Sequence, residues 1–121
     1  MAYRILVVDD DPKVLRTAAA TVEALGFAAA AVSSPRAALE LAREHPPFQV
    51  ALLDVFLGDA FGHDLAEELV ILQPDLKVLF MSGGVGGIFL ASKRPGATLL
   101  PKPFSRDDLR RALEALLPPS A

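Results

Sequence analysis

The sequence predicts an α/β fold in which helices cover both faces of a five-stranded parallel sheet. Short apolar runs, such as RILVV at 4–8 and VALL at 50–53, alternate with longer segments whose apolar residues recur every three or four positions. Runs that are apolar throughout are typical of strands buried on both faces. Because neighbouring parallel strands need a crossover, which usually contains a helix, this alternation favours a doubly wound sheet.

Strands and helices are predicted in strict alternation along the chain. The first helix begins at Pro12 and the second at Ser34-Pro35. FLGDAFG at 56–62 and SGGVGG at 82–87 are both predicted as loops, the second of them flexible. The strands are predicted at 4–8, 27–32, 50–53, 76–81 and 97–100, and the helices at 12–25, 34–45, 63–73, 88–93 and 105–117.

The composition indicates a single globular domain. The chain has 121 residues, 52% hydrophobic and 22% charged, so we expect one domain over 1–121 with a core at about 3–117. A net charge of -3 without a basic stripe argues against direct binding to nucleic acid. Cysteine is absent, and no apolar run approaches the roughly 18 residues that span a membrane. We therefore expect a cytoplasmic domain that does not insert into a membrane.

Reactive side chains follow four strands of the predicted sheet. Asp9 and Asp10 end the first strand, Asp54 ends the third, Ser82 ends the fourth, and Lys102 follows the fifth. Ligand sites of open parallel sheets lie beyond the carboxyl ends of the strands. The sequence therefore predicts one site that combines carboxylates, a hydroxyl group and a lysine.

The three aspartates at this edge favour a Mg²⁺ site. Asp9, Asp10 and Asp54 would gather up to three negative charges, which is unfavourable unless a cation binds or a proton is retained. Oxygen ligands too few for a full cage suit Mg²⁺, which keeps several waters. With Lys102 and Ser82 nearby, the set has the parts of a phosphoryl-transfer site in which a carboxylate is the nucleophile.

Other polar residues are assigned structural roles. Asp11, followed by Pro12, is predicted as the N-cap of the first helix, and Ser105 as that of the fifth. His45 and His63 are isolated, and we expect both on the surface. The SGGVGG segment lacks the Lys-Ser/Thr pair of a P-loop, which favours a flexible loop over a phosphate cradle.

Four motifs, in their order and spacing, resemble those of the receiver domain of bacterial response regulators. They are ILVVDDDP, ALLDVFL with a later Gly62, VLFMSG and GATLLPKPF, and the resemblance extends over essentially the whole chain. It implies a flavodoxin-like, CheY-like sheet of strand order 2-1-3-4-5. It also implies a two-component signalling switch rather than an enzyme, whose only chemistry is to accept and hydrolyse its own phosphoryl group.

The resemblance assigns roles to the site residues. Asp54 matches the phosphoacceptor, Asp10 a direct Mg²⁺ ligand and Asp9 an acid that acts mainly through metal-bound water. The backbone carbonyl of Phe56 would complete the protein ligands. Ser82 matches the hydroxyl group that turns toward the phosphoryl group.

The same resemblance places the output next to the fifth strand. Lys102 matches the lysine of the family pattern and would be followed by a cis bond to Pro103. The phosphoryl donor would be a histidine kinase or a histidine phosphotransfer protein. Phosphorylation would shift a surface around the fourth helix, fifth strand and fifth helix, to which Leu99 belongs.

The chain departs from the family pattern in this output region. Leu99 occupies a position that usually holds Tyr or Phe, and Gly58 one that usually holds proline. Phe61 stands where aspartate often precedes the glycine. Lys102 follows Ser82 by 20 positions, slightly fewer than usual, and four of the five residues after Ser82 are glycines, at 83, 84, 86 and 87. Because glycine costs about 1 kcal/mol per helical position, we expect a fourth helix that is short, displaced or partly unwound.

Alternative functions remain open at this point. A receiver-fold adaptor that binds a protein without switching is the main one, and it is motivated by Leu99. A haloacid-dehalogenase-like phosphatase would need a second acid where Phe56 stands. A flavodoxin would need a phosphate-binding loop where the chain has acids, which would repel a phosphate.

The molecule that receives the effect of phosphorylation also stays open. Because no output domain follows residue 117, we expect the effect to pass to a separate protein, to a second copy of the chain, or along a phosphorelay. PGATLLPKPF is also similar to receiver segments of hybrid kinases, so an excised domain is an alternative to a stand-alone protein.

Overall fold

The structure, a computed structural model, describes residues 3–44 and 46–118. Within them the chain forms a five-stranded main sheet, a two-stranded hairpin and five helices. The strands are β1 (Arg4–Val8), β2 (Ala28–Val32), β3 (Val50–Asp54), β4 (Phe56–Leu57), β5 (Ala60–Phe61), β6 (Lys77–Ser82) and β7 (Leu99–Pro101). The helices are α1 (Pro12–Ala24), α2 (Pro35–Glu44), α3 (Gly62–Leu72), α4 (Gly86–Lys93) and α5 (Arg106–Leu116).

The main sheet is parallel throughout, and its strand order is β2-β1-β3-β6-β7. Strands β6 and β7 are the fourth and fifth predicted strands, so the predicted order 2-1-3-4-5 is confirmed. The order reverses between β1 and β3, and the carboxyl ends of these two strands therefore border a crevice.

Side chains of the buried strands feed two apolar cores, one on each face of the sheet. Ile5 and Val7 of β1 pack with Val22 of α1 and Leu113 of α5. The intervening residues of β1 point to the opposite face, where α2, α3 and α4 pack. Members of this second core include Leu6, Val8, Ala42, Leu53, Leu69, Phe80 and Leu90. Burial on both faces explains why the strands are apolar throughout.

Helix α1 begins at Pro12 because Asp11 caps it. The Asp11 carboxylate accepts hydrogen bonds from the backbone N–H groups of Lys13, at 2.9 Å, and of Val14, at 3.5 Å. Pro12 has no N–H group and is suited to the first helical position, where that group would lack a partner. Ser105 caps α5 in the same way. Both predicted N-caps are confirmed.

The segment predicted as a loop at 56–62 contains the β4–β5 hairpin, so that prediction is wrong. The two strands are antiparallel, with Phe56 opposite Phe61. Gly58, in the turn, has a φ of 62° and donates its N–H to the Asp10 carboxylate at 3.0 Å. Proline could provide neither this backbone conformation nor an N–H group, which explains glycine at this position.

Two further boundaries differ from the prediction by two residues. Strand β7 begins at Leu99, two residues later than expected. The N–H of Ala97 donates to the carbonyl oxygen of Arg94 at 3.1 Å, so Ala97 belongs to the turn before the strand. Helix α4 begins at Gly86, inside the SGGVGG segment, so Gly86 and Gly87 are helical rather than part of a flexible loop. With 8 residues, α4 is short, as predicted.

Some predictions fall outside the described residues. These concern His45, where the second helix was expected to end, and the positions 1–2 and 119–121. The assignment of 1–121 to one domain stays a prediction. Over residues 3–44 and 46–118, no helix combines the length and the apolar character needed to cross a membrane.

Replacing Asp11 with alanine should lower the free energy of unfolding by about 1 kcal/mol, because two N–H groups of α1 lose their acceptor. Asp11→Asn is the matched control, since its amide oxygen can still accept these hydrogen bonds. Denaturant unfolding followed by circular dichroism measures both. An equal loss in the two variants would contradict the capping role and assign the effect to charge.

Candidate functional site

The structure brings the predicted polar residues to the carboxyl edge of the main sheet. Asp9 follows β1, Asp54 ends β3, Ser82 ends β6 and Lys102 follows β7. One carboxylate oxygen from each of Asp9, Asp10 and Asp54 lies within 4.8 Å of the other two. The predicted cluster of three acids is therefore present in the fold.

Asp9 is the buried centre of this cluster. Its side chain is 0% exposed, and its Oδ2 accepts a hydrogen bond from the Lys102 ammonium group at 2.8 Å. Its Oδ1 accepts from the backbone N–H of Asp11 at 2.9 Å. Each oxygen of Asp9 thus has a protein partner, which satisfies a carboxylate removed from water.

Asp54 shares the same lysine but retains access to solvent. Its Oδ2 lies 3.3 Å from Nζ of Lys102, and 14% of its side chain is exposed. Burial raises the pKa of Asp54, the charge of Asp9 raises it further, and Lys102 only partly opposes them. The ionised carboxylate is therefore less stable here than in water, as expected where cations are too few.

Among residues 3–44 and 46–118, Lys102 is the one basic group paired with these acids. Burial on its own lowers the pKa of Lys102, but the hydrogen bond with Asp9 and the charges of Asp54 and Asp9 outweigh it. The pKa of Lys102 therefore lies above its ordinary value, and the side chain stays charged at neutral pH. It can balance only one of the three carboxylates.

Asp10 is the exposed member of the cluster. Its Oδ2 accepts the N–H of Gly58 at 3.0 Å, which ties the β4–β5 hairpin to the end of β1. Carboxylate oxygens are the ligands that hard divalent cations prefer, and three of them beside one lysine leave an excess of negative charge. The donor set therefore fits a cation such as Mg²⁺.

Two other predicted residues, Ser82 and Pro103, lie along the same edge, and Leu99 lies at the start of β7. The buried Ser82 hydroxyl donates a hydrogen bond to the carbonyl oxygen of Gly83 at 3.0 Å. The Lys102–Pro103 peptide bond is cis, as the resemblance implies. Leu99, at the position where the family pattern usually has Tyr or Phe, packs half-buried against the core on the α2–α3–α4 face.

Gly62 sets the distance between α3 and the end of β3. A Cβ at this position would lie 2.2 Å from the carbonyl oxygen of Asp54, a distance that no side chain tolerates. The N–H of Gly62 donates to the carbonyl oxygen of Val55 at 2.8 Å. The glycine that accompanies the second motif is thus explained by close backbone approach beside Asp54.

An aromatic cluster beside the acids was not predicted. Phe56 and Phe61 of the hairpin and Phe89 of α4 have ring centroids between 5.0 and 6.1 Å apart. His63 stacks on Phe61 at 5.7 Å, and only 13% of its side chain is exposed, so the expectation of a surface residue is wrong. Aromatic residues flanking the turn of FLGDAFG were the one signal in the sequence that could have indicated this cluster.

The fold and the site define a doubly wound α/β protein with an acidic cluster and a lysine at the carboxyl edge of its sheet. The sequence model of the response regulator receiver domain matches residues 5–114. The chain therefore belongs to the response regulator receiver domain family, and the CheY-like fold that the resemblance implied is confirmed.

Individual relatives agree with this assignment. The chain is 36% identical over 121 residues to the photosynthetic apparatus regulatory protein RegA of Rhodovulum sulfidophilum, covering 95% of this chain but 66% of RegA. It is 30% identical over 116 residues to the response regulator receiver protein CpdR of Brucella abortus, covering 94% of this chain and 96% of CpdR. The chain thus spans less than two thirds of the RegA length and nearly all of the CpdR length.

Solved structures show the same architecture. A response regulator receiver protein from Sinorhizobium medicae superposes with a TM-score of 0.85 at 26% identity, over 95% of this chain and 94% of that one. A CheY-like receiver domain protein from Methanospirillum hungatei gives a TM-score of 0.81 at 26% identity, over 95% of this chain and 93% of that one.

In metal-free buffer, Asp54→Asn should stabilise the fold at neutral pH and lose this advantage in acid. The pKa of Asp54 is higher in the folded protein than the ordinary 3.8, so the folded state holds the proton more tightly than the unfolded chain. The contribution of Asp54 to stability is therefore greatest below pH 3.8 and is lost as pH rises through the folded-state pKa. Because solvent screens this partly exposed group, we expect a gain below about 1 kcal/mol.

Denaturant unfolding of wild type and variant between acid and neutral pH measures this difference. Asp59→Asn, on the exposed turn of the hairpin and outside the three-acid cluster, is the matched control. A variant that is less stable than wild type at neutral pH would contradict the electrostatic account of Asp54.

Proposed function

We propose that the chain is a phosphorylation-operated switch that accepts a phosphoryl group on Asp54 in a Mg²⁺-dependent reaction. One observation carries the proposal. Of the two carboxylates paired with Lys102, Asp9 is 0% exposed whereas Asp54 is 14% exposed, so only Asp54 can be reached by a phosphoryl donor. Burial and the charge of Asp9 raise the pKa of Asp54, and Lys102 only partly opposes them, which suits a nucleophile.

Asp54 supplies the nucleophile for the transfer. One carboxylate oxygen forms a bond to phosphorus while the bond between phosphorus and the imidazole nitrogen of a phosphohistidine breaks. The imidazole leaves with the electron pair and takes a proton from solvent. The products are an acyl phosphate on Asp54 and a free histidine on the donor. Attack by water on phosphorus later restores the carboxylate and releases inorganic phosphate.

The hydrogen bonds of the site support different roles for its acids. Both oxygens of Asp9 have protein partners, which favours an indirect role through water. Asp10 is exposed and uses Oδ2 for Gly58, which leaves Oδ1 available as a direct ligand. Asp54 and the backbone carbonyl of Phe56 would complete the set. When bound, Mg²⁺ would supply positive charge that stabilises the phosphoryl oxygens.

The chain's own residues would then respond to the new charge. Lys102 Nζ already lies between Asp9 and Asp54, so it can stabilise a phosphoryl group on Asp54 with little movement. The Ser82 hydroxyl would turn toward that group. These movements would shift the surface formed by α4, β7 and α5, which includes Leu99 and Pro103.

The partners follow from this chemistry. A histidine kinase or histidine phosphotransfer protein would supply the phosphoryl group in the cytoplasm. A downstream protein or a second copy of the chain would read the shifted surface, and we propose no direct contact with nucleic acid. The domain would act as a switch and not as an enzyme on a separate substrate.

Incubation with acetyl phosphate and Mg²⁺ should add the mass of one phosphoryl group to wild type, and Asp54→Asn should abolish the gain. Intact-protein mass spectrometry measures it, and Asp59→Asn should be phosphorylated like wild type. An unchanged mass gain in Asp54→Asn would assign the phosphoryl group elsewhere. No gain in wild type, with no spectral change on adding beryllofluoride, would instead favour the non-switching adaptor.

Asp10→Asn should weaken Mg²⁺ binding by roughly tenfold or more, since losing one charged ligand costs at least about 1.4 kcal/mol. In metal-free buffer the same variant should be more stable than wild type, because repulsion among the three acids is relieved. Calorimetric titration and thermal melts measure the two effects, with Asp11→Asn as the neighbouring control. An Asp10→Asn protein that melts clearly below wild type without metal would refute the repulsion among the acids.

A further inference from the structure

Helix α4 packs directly on the side chain of Ser82 through Gly86. A Cβ on Gly86 would lie 1.7 Å from Ser82 Oγ and 2.9 Å from Ser82 Cβ. Contacts this short are not tolerated, so α4 can approach the end of β6 only because residue 86 lacks a side chain. Gly86 is buried and is the first residue of the helix.

Backbone conformation does not explain this glycine. The described glycines with positive φ are Gly26, Gly58, Gly84 and Gly96, and Gly86 is not among them. Within a helix, glycine is among the least favourable residues. The close contact with Ser82 is therefore the physical reason for glycine at position 86.

The aromatic cluster holds this contact in place from the other side. A ring carbon of Phe56 lies 3.5 Å from where a Cβ of Gly86 would be. The same ring packs against Phe89 of α4 at a centroid distance of 5.2 Å. The first turn of α4 is thus confined between Ser82 and the hairpin, and a movement of the Ser82 side chain has a direct steric route to the helix.

We propose that Gly86 is a positioning residue for Ser82, through which α4 responds to the orientation of the Ser82 hydroxyl. The inference rests on the proposed function, in which that hydroxyl turns toward a phosphoryl group on Asp54. In the structure the hydroxyl donates to Gly83 and forms no hydrogen bond with the acids among the described residues. Turning toward Asp54 empties the space beside Gly86, and the first turn of α4 can move into it.

Gly86→Ala should therefore turn the Ser82 hydroxyl toward Asp54 without phosphorylation. The added methyl group fills the space that the hydroxyl occupies, so Ser82 should favour the orientation toward Asp54 before any phosphoryl group is present. A larger population of the binding-competent state tightens apparent affinity in proportion. We expect beryllofluoride, with Mg²⁺, to bind Gly86→Ala about threefold or more tighter than wild type.

Gly87→Ala is the matched control, because it adds the same methyl group one position along the same helix. A Cβ there meets only the far end of the Leu99 side chain, at 2.9 Å, and that side chain can move. Gly87→Ala should bind beryllofluoride like wild type. In metal-free protein, the Hα–Hβ couplings of Ser82 measured by NMR should change in Gly86→Ala and not in Gly87→Ala.

A thermal double-mutant cycle tests the contact independently of phosphoryl chemistry. Gly86→Ala should lower the Tm by about 5 °C or more in the Ser82 background. In the Ser82→Ala background the loss should be at least halved, because the clashing oxygen is gone and only the Cβ contact remains. If Gly86→Ala does not fold at all, folding of the double variant with Ser82→Ala supports the same contact.

The outcomes separate this inference from the proposed function. Equal Tm losses in both Ser82 backgrounds would overturn the contact. Wild type that binds beryllofluoride while Gly86→Ala binds it no more tightly would overturn the positioning role alone. Wild type that does not bind beryllofluoride would overturn the proposed function and the positioning role together, and the Tm cycle would then decide only the packing contact.

Discussion

The ion pair between Asp9 and Lys102, 2.8 Å long, is the interaction on which the site depends. It joins residues 93 positions apart and connects the end of β1 to the segment after β7, across the width of β3 and β6. A carboxylate that is 0% exposed persists in a protein only when it is paired and hydrogen-bonded. Lys102 meets this need and, from the same position, reaches Asp54 at 3.3 Å. The same lysine therefore joins an enclosed carboxylate, Asp9, to an accessible one, Asp54.

One lysine for three carboxylates leaves the site short of positive charge. Burial and, next, the charge of Asp9 raise the pKa of Asp54, and Lys102 only partly opposes them. The same imbalance that makes the metal-free site unfavourable would favour the binding of a divalent cation, as we propose. Two glycines then let neighbouring helices approach the charged edge closely. Gly62 allows α3 to reach the backbone of Asp54, and Gly86 allows α4 to reach Ser82. Charge and close packing thus meet at the ends of β3 and β6.

Local patterns were sufficient to predict the strands and the two helix caps, because burial on both faces and the cap residues leave strong signals. The strand order came instead from the resemblance to the receiver family. The convergence of Asp9, Asp54 and Lys102 followed from the rule that sites lie at the carboxyl ends of parallel strands. The β4–β5 hairpin was missed because two-residue strands are too short to show a period. The start of α4 was missed because glycine is a poor helix former, and its presence at 86 depends on a tertiary contact. The burial of His63 likewise depends on Phe61 and Phe89, which lie on other elements of the fold.

A crystal structure with Mg²⁺ and beryllofluoride tests the central claim most directly, since it shows which carboxylate accepts the phosphoryl analogue and which hold the cation. We expect the beryllium atom bonded to a carboxylate oxygen of Asp54, the cation ligated by Asp10 and Asp54, and Nζ of Lys102 in contact with the analogue. Beryllofluoride bonded to another residue, or a cation bound away from Asp10 and Asp54, would contradict the account.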